Sequence, residues 1–320
     1  MAKPTIVVTR ALPRDALALL EAHATVDANA ADVAYTPAEL VSHARHADAL
    51  ICLLTDRIDD AFLARCPMLK IVANVAVGYD NIDVPAATKR GIVVTNTPGV
   101  LTDATADFAW ALLLAVVRRV PEADAYVRAG RFTAWEMMGF HGGDLAGRTL
   151  GIAGFGRIGQ AVARRGLGFG MRVIYTNTRR VSAALEESLG ARFVDKATLL
   201  AASDVLSLHL PLTAATRHFL GADDFARMKP SAYLINTARG PIVDERALVD
   251  ALRSGAIRGA GLDVFEREPV VEPEFLAMPN VVLAPHIGSA TVETRTKMAL
   301  IAAENVIAVL CGSPPLTPIA

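Results

Sequence analysis

Apolar residues in this chain fall into short, nearly continuous β-branched runs, separated by longer stretches where they recur every three to four positions. The first pattern suits a strand buried on both faces, the second one face of a helix. Over the first hundred residues the predicted strands are TIVVT (5–9), ALICLLT (49–55), KIVANVAV (70–77) and IVVTN (92–96). Thr36-Pro37-Ala38-Glu39 opens one intervening helix, as a capping box with proline in its first turn. A long helical stretch runs from about Val100 to Gly130, with a break expected near Pro121.

A second series begins at RTLGIAG (148–154). It continues through RVIYTN (172–177), ARFVD (191–195), DVLSLHL (204–210), AYLINTA (232–238), GAGLDV (259–264) and NVVLAPH (280–286). Alternation of this kind marks parallel sheets with helices on both faces. The last helix, ATVETRTKMALIAAENVIAVLCG, has no strand after it. It is expected to return to the first series, which makes the second series an insertion.

The chain has 320 residues, enough for two domains, each with its own core. With 52% hydrophobic and 20% charged residues it reads as soluble and globular. A net charge of −1 without long like-charge runs argues against a nucleic-acid partner. The longest apolar run, FAWALLLAVV (108–117), is too short for a membrane span, and the N-terminus lacks a signal-peptide pattern. Cys52, Cys66 and Cys311 are odd in number and scattered, which predicts reduced, buried thiols in a cytoplasmic protein.

LGIAGFGRIGQAVARR places Gly154, Gly156 and Gly159 in a G-x-G-x-x-G pattern after a strand and at the start of a helix. The glycines serve a tight turn, close approach to a pyrophosphate, and close helix–strand packing. The free N–H groups of Arg157 and Ile158 would then face the phosphates. Eighteen residues after Gly159, where an acid would grip the ribose 2′-hydroxyl of NAD, stands Asn177. Thr178, Arg179 and Arg180 follow, and arginine forks suit a 2′-phosphate that an acid would repel. NADP(H) is therefore the expected cofactor, with NAD(H) possible. The competing reading makes the two arginines solvated charges leading into the helix RVSAALEESLG.

Three chemically pointed residues follow strands of the second series: Arg239 in INTARGPIVDE, Glu268 in GLDVFEREP and His286 in LAPHIGSAT. Ligands bind beyond the carboxyl ends of strands in open parallel sheets. Reduction of a 2-keto acid needs a hydride donor, a proton donor for the new alkoxide, and a cation for the carboxylate. A carboxylate beside an imidazole favours the imidazolium and keeps it a usable acid near neutrality. An arginine fork suits the substrate carboxylate. His43 and His46, three apart, lack a metal-ligand set, and His209 fits either a cofactor cleft or the core.

Together, VAVGYDNID, GFGRIG, HLPLT, NTARGPIVDE, GLDVFEREP and PHIGSAT resemble the D-isomer-specific 2-hydroxyacid dehydrogenases over essentially the whole chain. LLTDRID (53–59), AVGYDNIDV and YTNTRR look most like the glyoxylate/hydroxypyruvate reductase branch. The resemblance implies an α/β fold of two doubly wound parallel-sheet domains. A Rossmann-type cofactor domain, 100–288, would be inserted into a flavodoxin-like substrate domain of 1–99 plus 289–320. Arg239 would bind the substrate carboxylate and polarise its carbonyl, and His286 would be the acid/base with Glu268 as its partner. The N–H groups of Val77 and Gly78 would also hold the carboxylate, and Leu54 would line the pocket. Thr237, Asp263 and Gly288 would contact the nicotinamide end, and Thr105 the cofactor. The long helix after residue 100 would enter a homodimer interface.

The activity implied is NADPH-dependent reduction of glyoxylate or hydroxypyruvate to glycolate or D-glycerate. Reduction of 2-ketogluconate or a bulkier 2-keto acid stays open, because pocket size depends on packing around Leu54 and FTAWEMMGFHG (132–142). Trp135, Met137 and Met138 there would either cap a pocket or pack at a dimer interface. A dinucleotide-sensing binding protein is the remote alternative. Phosphite oxidation is disfavoured, because Val77 stands where a cationic side chain would be expected.

Overall fold

The computed structural model describes residues 3–319. They form two compact units, one of residues up to Leu101 together with those from Ala290 onward, the other Thr102–Ser289.

In the first unit, strands β1 (Thr5–Val8), β2 (Thr25–Ala28), β3 (Ala49–Cys52), β4 (Ile71–Asn74) and β5 (Val93–Thr95) make a parallel sheet in the order β2-β1-β3-β4-β5. That is the doubly wound, flavodoxin-like order. Strands β3 and β4 are buried at every position, in keeping with their nearly continuous apolar runs. β2 has no such run. Its sequence TVDA is half exposed at the sheet edge, so hydrophobic patterning does not reveal it. The capping box forms as expected, with Glu39 N–H on Thr36 Oγ1 and Thr36 N–H on Glu39 Oε2. The last helix, Val292–Leu310, packs against the helix Arg14–His23 and strands β3 and β4. Its inner face is built from small residues (Ala299, Ala302, Ala303) that allow close approach.

In the second unit, β6 (Thr149–Ala153), β7 (Arg172–Thr176), β8 (Ala191–Phe193), β9 (Val205–Leu208), β10 (Tyr233–Asn236), β11 (Gly259–Leu262) and β12 (Val281–Leu283) form a parallel sheet. Its order, β12-β11-β10-β9-β6-β7-β8, is the Rossmann order extended by one strand. The topological switch lies between β6 and β9, directly under the glycine-rich turn.

The long helical stretch is two helices, Thr102–Val117 and Val120–Arg128. The break falls at Arg118-Arg119, where Arg119 takes a left-handed φ of 55°. Pro121 does not make the break itself. It occupies the first turn of the second helix, where its missing N–H costs nothing. Cys52 and Cys66 are buried, but Cys311 is exposed, because it lies just past the end of the last helix. All three are free thiols. Among the described residues no helix is long and apolar enough to cross a membrane.

Candidate active site

The β6 turn carries its three glycines in three different environments. Gly154 adopts φ 91°, and a Cβ there would sit 2.5 Å from the carbonyl oxygen of His209 on β9's outgoing loop. A Cβ at Gly159 would fall 2.2 Å from the Gly154 carbonyl oxygen, so this glycine lets the helix press onto the turn. A Cβ at Gly156 would meet only open space. Gly156 caps the helix Arg157–Gly168 without any side-chain hydrogen bond, so the first-turn N–H groups of Arg157 and Ile158 receive no cap. An open cradle of uncapped N–H groups at a helix start is what a pyrophosphate requires. The residues fit a dinucleotide. Thr237, just past β10, adds a second indication, since its buried Oγ1 has no hydrogen-bond partner among the described residues.

His209 also lies at this turn, with Nε2 2.8 Å from Ser207 Oγ. Burial pushes its pKa down to about 3, so it is a neutral ring and not a proton donor at physiological pH.

At the end of β7, Asn177 Nδ2 donates to the Arg179 carbonyl at 3.0 Å and so shapes the turn. Thr178 and Arg179 are exposed. Arg180 is engaged differently. Its Nε and one terminal nitrogen fork onto Glu186 at 2.9 and 2.6 Å. Glu186 also accepts the Tyr175 hydroxyl at 2.7 Å, and that hydroxyl accepts the Val181 N–H at 3.1 Å. The Arg180 fork and the Tyr175 hydroxyl bring the Glu186 carboxyl down to about 2, despite a burial contribution in the other direction. Sequence reasoning did not single out Glu186. The available signal was an acid six residues after Arg180 on an amphipathic helix, together with a tyrosine inside a core strand.

Three loops bring the catalytic candidates to one end of the sheet. Arg239 follows β10 in an extended conformation. It donates one guanidinium hydrogen bond to the Ala238 carbonyl at 2.8 Å, while Asn236 Nδ2 donates to the Arg239 carbonyl. Glu268 and His286 meet directly, Oε2 to Nδ1 at 2.9 Å, each side chain about one-quarter exposed. The other Glu268 oxygen accepts the Phe265 N–H at 3.0 Å. Burial raises the Glu268 carboxyl, but the hydrogen bond and charge of His286, the Phe265 N–H and the charge of Arg239 outweigh it. The net position is below the usual carboxylate range. Glu268 is therefore an anion at neutral pH, and His286 Nδ1 is occupied, which leaves Nε2 as the ring nitrogen outside this pair.

His286 holds a left-handed φ of 58°, unusual for a residue with a side chain. Asp263, past the end of β11 and 1% exposed, explains how. Its two oxygens accept the N–H groups of Ile287 and Gly288, each at 2.7 Å. Burial raises the Asp263 carboxyl, and the two N–H groups work against that rise. Gly288 lies close against this carboxylate and the Thr105 side chain. A Cβ there would stand 3.1 Å from Asp263 Oδ2 and 3.5 Å from Thr105 Cγ2. Arg239, Glu268, His286, Asp263, Thr237, Thr105 and Gly288 thus all belong to the second unit. Leu54, Val77 and Gly78 belong to the first, all half-buried on loops after β3 and β4.

Away from these loops, His43 pairs with Asp27 on β2 (Nδ1 to Oδ2, 2.6 Å) and stacks on Tyr35.

Comparison with known proteins agrees with this geometry. The family model for the NAD binding domain of D-isomer specific 2-hydroxyacid dehydrogenase matches residues 110–288. The chain is 52% identical to a glyoxylate reductase of Thermococcus litoralis, over 98% of this chain and 96% of that protein. It is 51% identical to a glyoxylate reductase of Korarchaeum cryptofilum, over 98% and 95%. Among solved structures it superposes on an NADPH-dependent glyoxylate/hydroxypyruvate reductase of Sinorhizobium meliloti, in complex with NADP and malonate. The TM-score is 0.89, with 37% identity over 100% of this chain and 97% of that one. With the Rossmann strand order, the open glycine cradle and the Glu268–His286 pair on one unit, the chain belongs to the D-isomer specific 2-hydroxyacid dehydrogenases, as an NAD(P)-dependent oxidoreductase.

Proposed function

We propose that this enzyme reduces glyoxylate or hydroxypyruvate to the corresponding 2-hydroxy acid, with NADPH preferred and NADH usable. The observation that carries the reading is the 2.9 Å contact between Glu268 and His286 beside Arg239. A bound nicotinamide supplies the hydride to C2 of the keto acid. His286 delivers the proton from Nε2 to the carbonyl oxygen, while the Glu268 anion holds the ring through Nδ1. The Arg239 fork fixes the carboxylate and polarises the carbonyl. In the first unit, the N–H groups of Val77 and Gly78 are proposed to bind a carboxylate. Thr237, Asp263, Gly288 and Thr105 line the nicotinamide end. Gly154, Gly156, Arg157, Ile158 and Gly159 take the pyrophosphate, and Asn177, Thr178, Arg179 and Arg180 take the ribose end. The absence of an acid at Asn177 supports NADPH. The names of the glyoxylate reductase relatives support the substrate class.

Initial rates of glyoxylate and hydroxypyruvate reduction, with NADPH and with NADH, test this reading. A higher kcat/KM with NADPH on either substrate is the expected result. Turnover confined to larger 2-keto acids, or none with either cofactor, overturns it.

The enzyme is also proposed to form a homodimer. The expected face moves along the chain, because helix Thr102–Val117 is largely buried within its own unit. Helix Val120–Arg128 buries nothing, and Val120, Val127, Phe132, Trp135, Met137 and Met138 stand more than half exposed beside it. Such a cluster is large for a solvated surface. Sedimentation of Trp135→Lys, expected to shift from dimer to monomer, checks the assignment. A wild-type monomer would rule it out.

A further inference from the structure

The loop after β4 is held from its carbonyl side at three consecutive residues. The Ala76 carbonyl accepts the Thr97 N–H at 2.9 Å. The Val77 carbonyl accepts Asn96 Nδ2 at 2.8 Å, and the Gly78 carbonyl accepts Asn74 Nδ2 at 2.8 Å. In a planar trans peptide the C=O and the following N–H point in opposite directions. A donor that pins the Ala76 carbonyl therefore sets the direction of the Val77 N–H. One that pins the Val77 carbonyl sets the Gly78 N–H. Among the described residues neither of those two N–H groups has an acceptor. Two neighbouring N–H groups, each directed away from the donor that anchors the carbonyl before it, are left as donors for an anionic oxygen.

Asn96 is itself anchored. Its carbonyl accepts the Thr317 hydroxyl at 2.6 Å, and Asn305 of the last helix donates to that hydroxyl at 2.9 Å. Asn96 therefore ties the loop to the last helix of the same unit, and its amide has a fixed base from which to hold the Val77 peptide.

We infer that Asn96 is a positioning residue for the substrate carboxylate: by pinning the Val77 carbonyl it presents the Gly78 N–H to a 2-keto acid. This rests on the proposed carboxylate role of Val77 and Gly78. Asn96 touches no reacting atom, so its loss weakens binding of the carboxylate without altering the proton and hydride steps.

The test compares Asn96→Ala and Asn96→Leu with the wild type. Leucine keeps roughly the size of the side chain but has neither a hydrogen to donate nor a charge, so it serves if the alanine variant folds poorly. In the folded variant KM for the keto acid is expected to rise about tenfold, the worth of one lost hydrogen bond. Kd for oxalate, a carboxylate probe that is not reduced, should rise in parallel. kcat and Kd for the dinucleotide should stay within about twofold. An unchanged KM and oxalate Kd in a folded variant, with wild-type turnover intact, overturns the Asn96 role and leaves the proposed function standing. A fall in kcat and dinucleotide affinity to match the rise in KM shows general damage and also overturns it. A wild type that reduces no 2-keto acid and binds no oxalate removes the carboxylate reading and the inference with it.

Discussion

At the β10–β12 end of the second unit, the side chains assigned to the reacting carbonyl are fixed by main-chain contacts. At the end of β7, those assigned to the ribose stand mostly in solvent. His286 illustrates the first. A side-chain-bearing residue in the left-handed region costs about 1–2 kcal/mol. Each hydrogen bond to a charged acceptor returns about 1.5–3 kcal/mol, and Asp263 accepts two from the residues immediately after His286. The clamp outweighs the strain, so the imidazole direction is set before any ligand arrives. Arg179 illustrates the second. It is exposed, no ion pair involves it among the described residues, and the cofactor role proposed for it would be one of charge and reach. Substitutions at the first end are expected to remove catalysis, and those at the second to change preference.

The largest effect is expected at Arg239. Arg239→Lys keeps the charge but loses the planar fork, and kcat/KM should fall on the order of 10²–10³, comparable to losing a preorganised donor at a developing oxyanion. Steady-state kinetics at fixed NADPH would show it. Near-wild-type turnover would mean that a point charge suffices and that the rigidity of this end is not used.

Glu268→Gln should act next, and mainly through pH. In the proposed reaction the proton comes from His286, so reduction is expected to fail as pH rises. The Glu268 carboxyl lies below the usual carboxylate range, held there in part by the charge of His286 against the opposing effect of burial. That anion stands 2.9 Å from His286 Nδ1 and faces any proton the ring carries. Glutamine keeps the shape and removes the charge, which moves the upper pH limit of reduction to lower pH. A pH–rate profile superimposable on the wild type would separate the pair from the chemistry.

At the other end, Arg179→Ala should lower kcat/KM with NADPH by about tenfold, the worth of one charge-assisted contact, and leave NADH nearly unaffected. Arg180→Ala should do less, because its guanidinium is already forked onto Glu186. Equal losses with both cofactors would return Arg179 to the plain surface.

How far this was legible in the sequence follows the same division. Strands buried on both faces announce themselves by continuous apolar runs, so β3, β4, β6 and β9 to β11 were readable, whereas the edge strand β2 was not. The glycine turn was readable because its backbone demands leave only glycine acceptable at Gly154 and Gly159. What escaped were side-chain partnerships across the fold: Glu186 with Arg180, Asp263 with the N–H groups after His286, Asp27 with His43, and Asn96 with Val77. The Asp263, Asp27 and Asn96 partnerships join segments whose proximity exists only once the sheet order is known, and the local Arg180–Glu186 pair reads in the sequence like any solvated pair of charges.

Glu186 offers the finest test of the softer end. Its carboxyl is lowered from 4.5 to about 2 by the Arg180 fork and then the Tyr175 hydroxyl. A folded value below the unfolded one means stabilisation that is complete above about pH 4.5 and is lost as the pH falls toward 2. Arg180→Ala removes the larger of the two causes. The variant should therefore melt slightly below the wild type at neutral pH, and the gap should close as pH falls through that window. Arg180 is 63% exposed at its side chain, so solvent and salt screen the pair, and raising the ionic strength should narrow the neutral-pH gap as well. Thermal melts across pH 2–7 at low and high salt would reveal both trends. Melting curves that stay parallel across the acid range would show that the fork forms without stabilising the fold, and Arg180 would then be as available to a 2′-phosphate as Arg179.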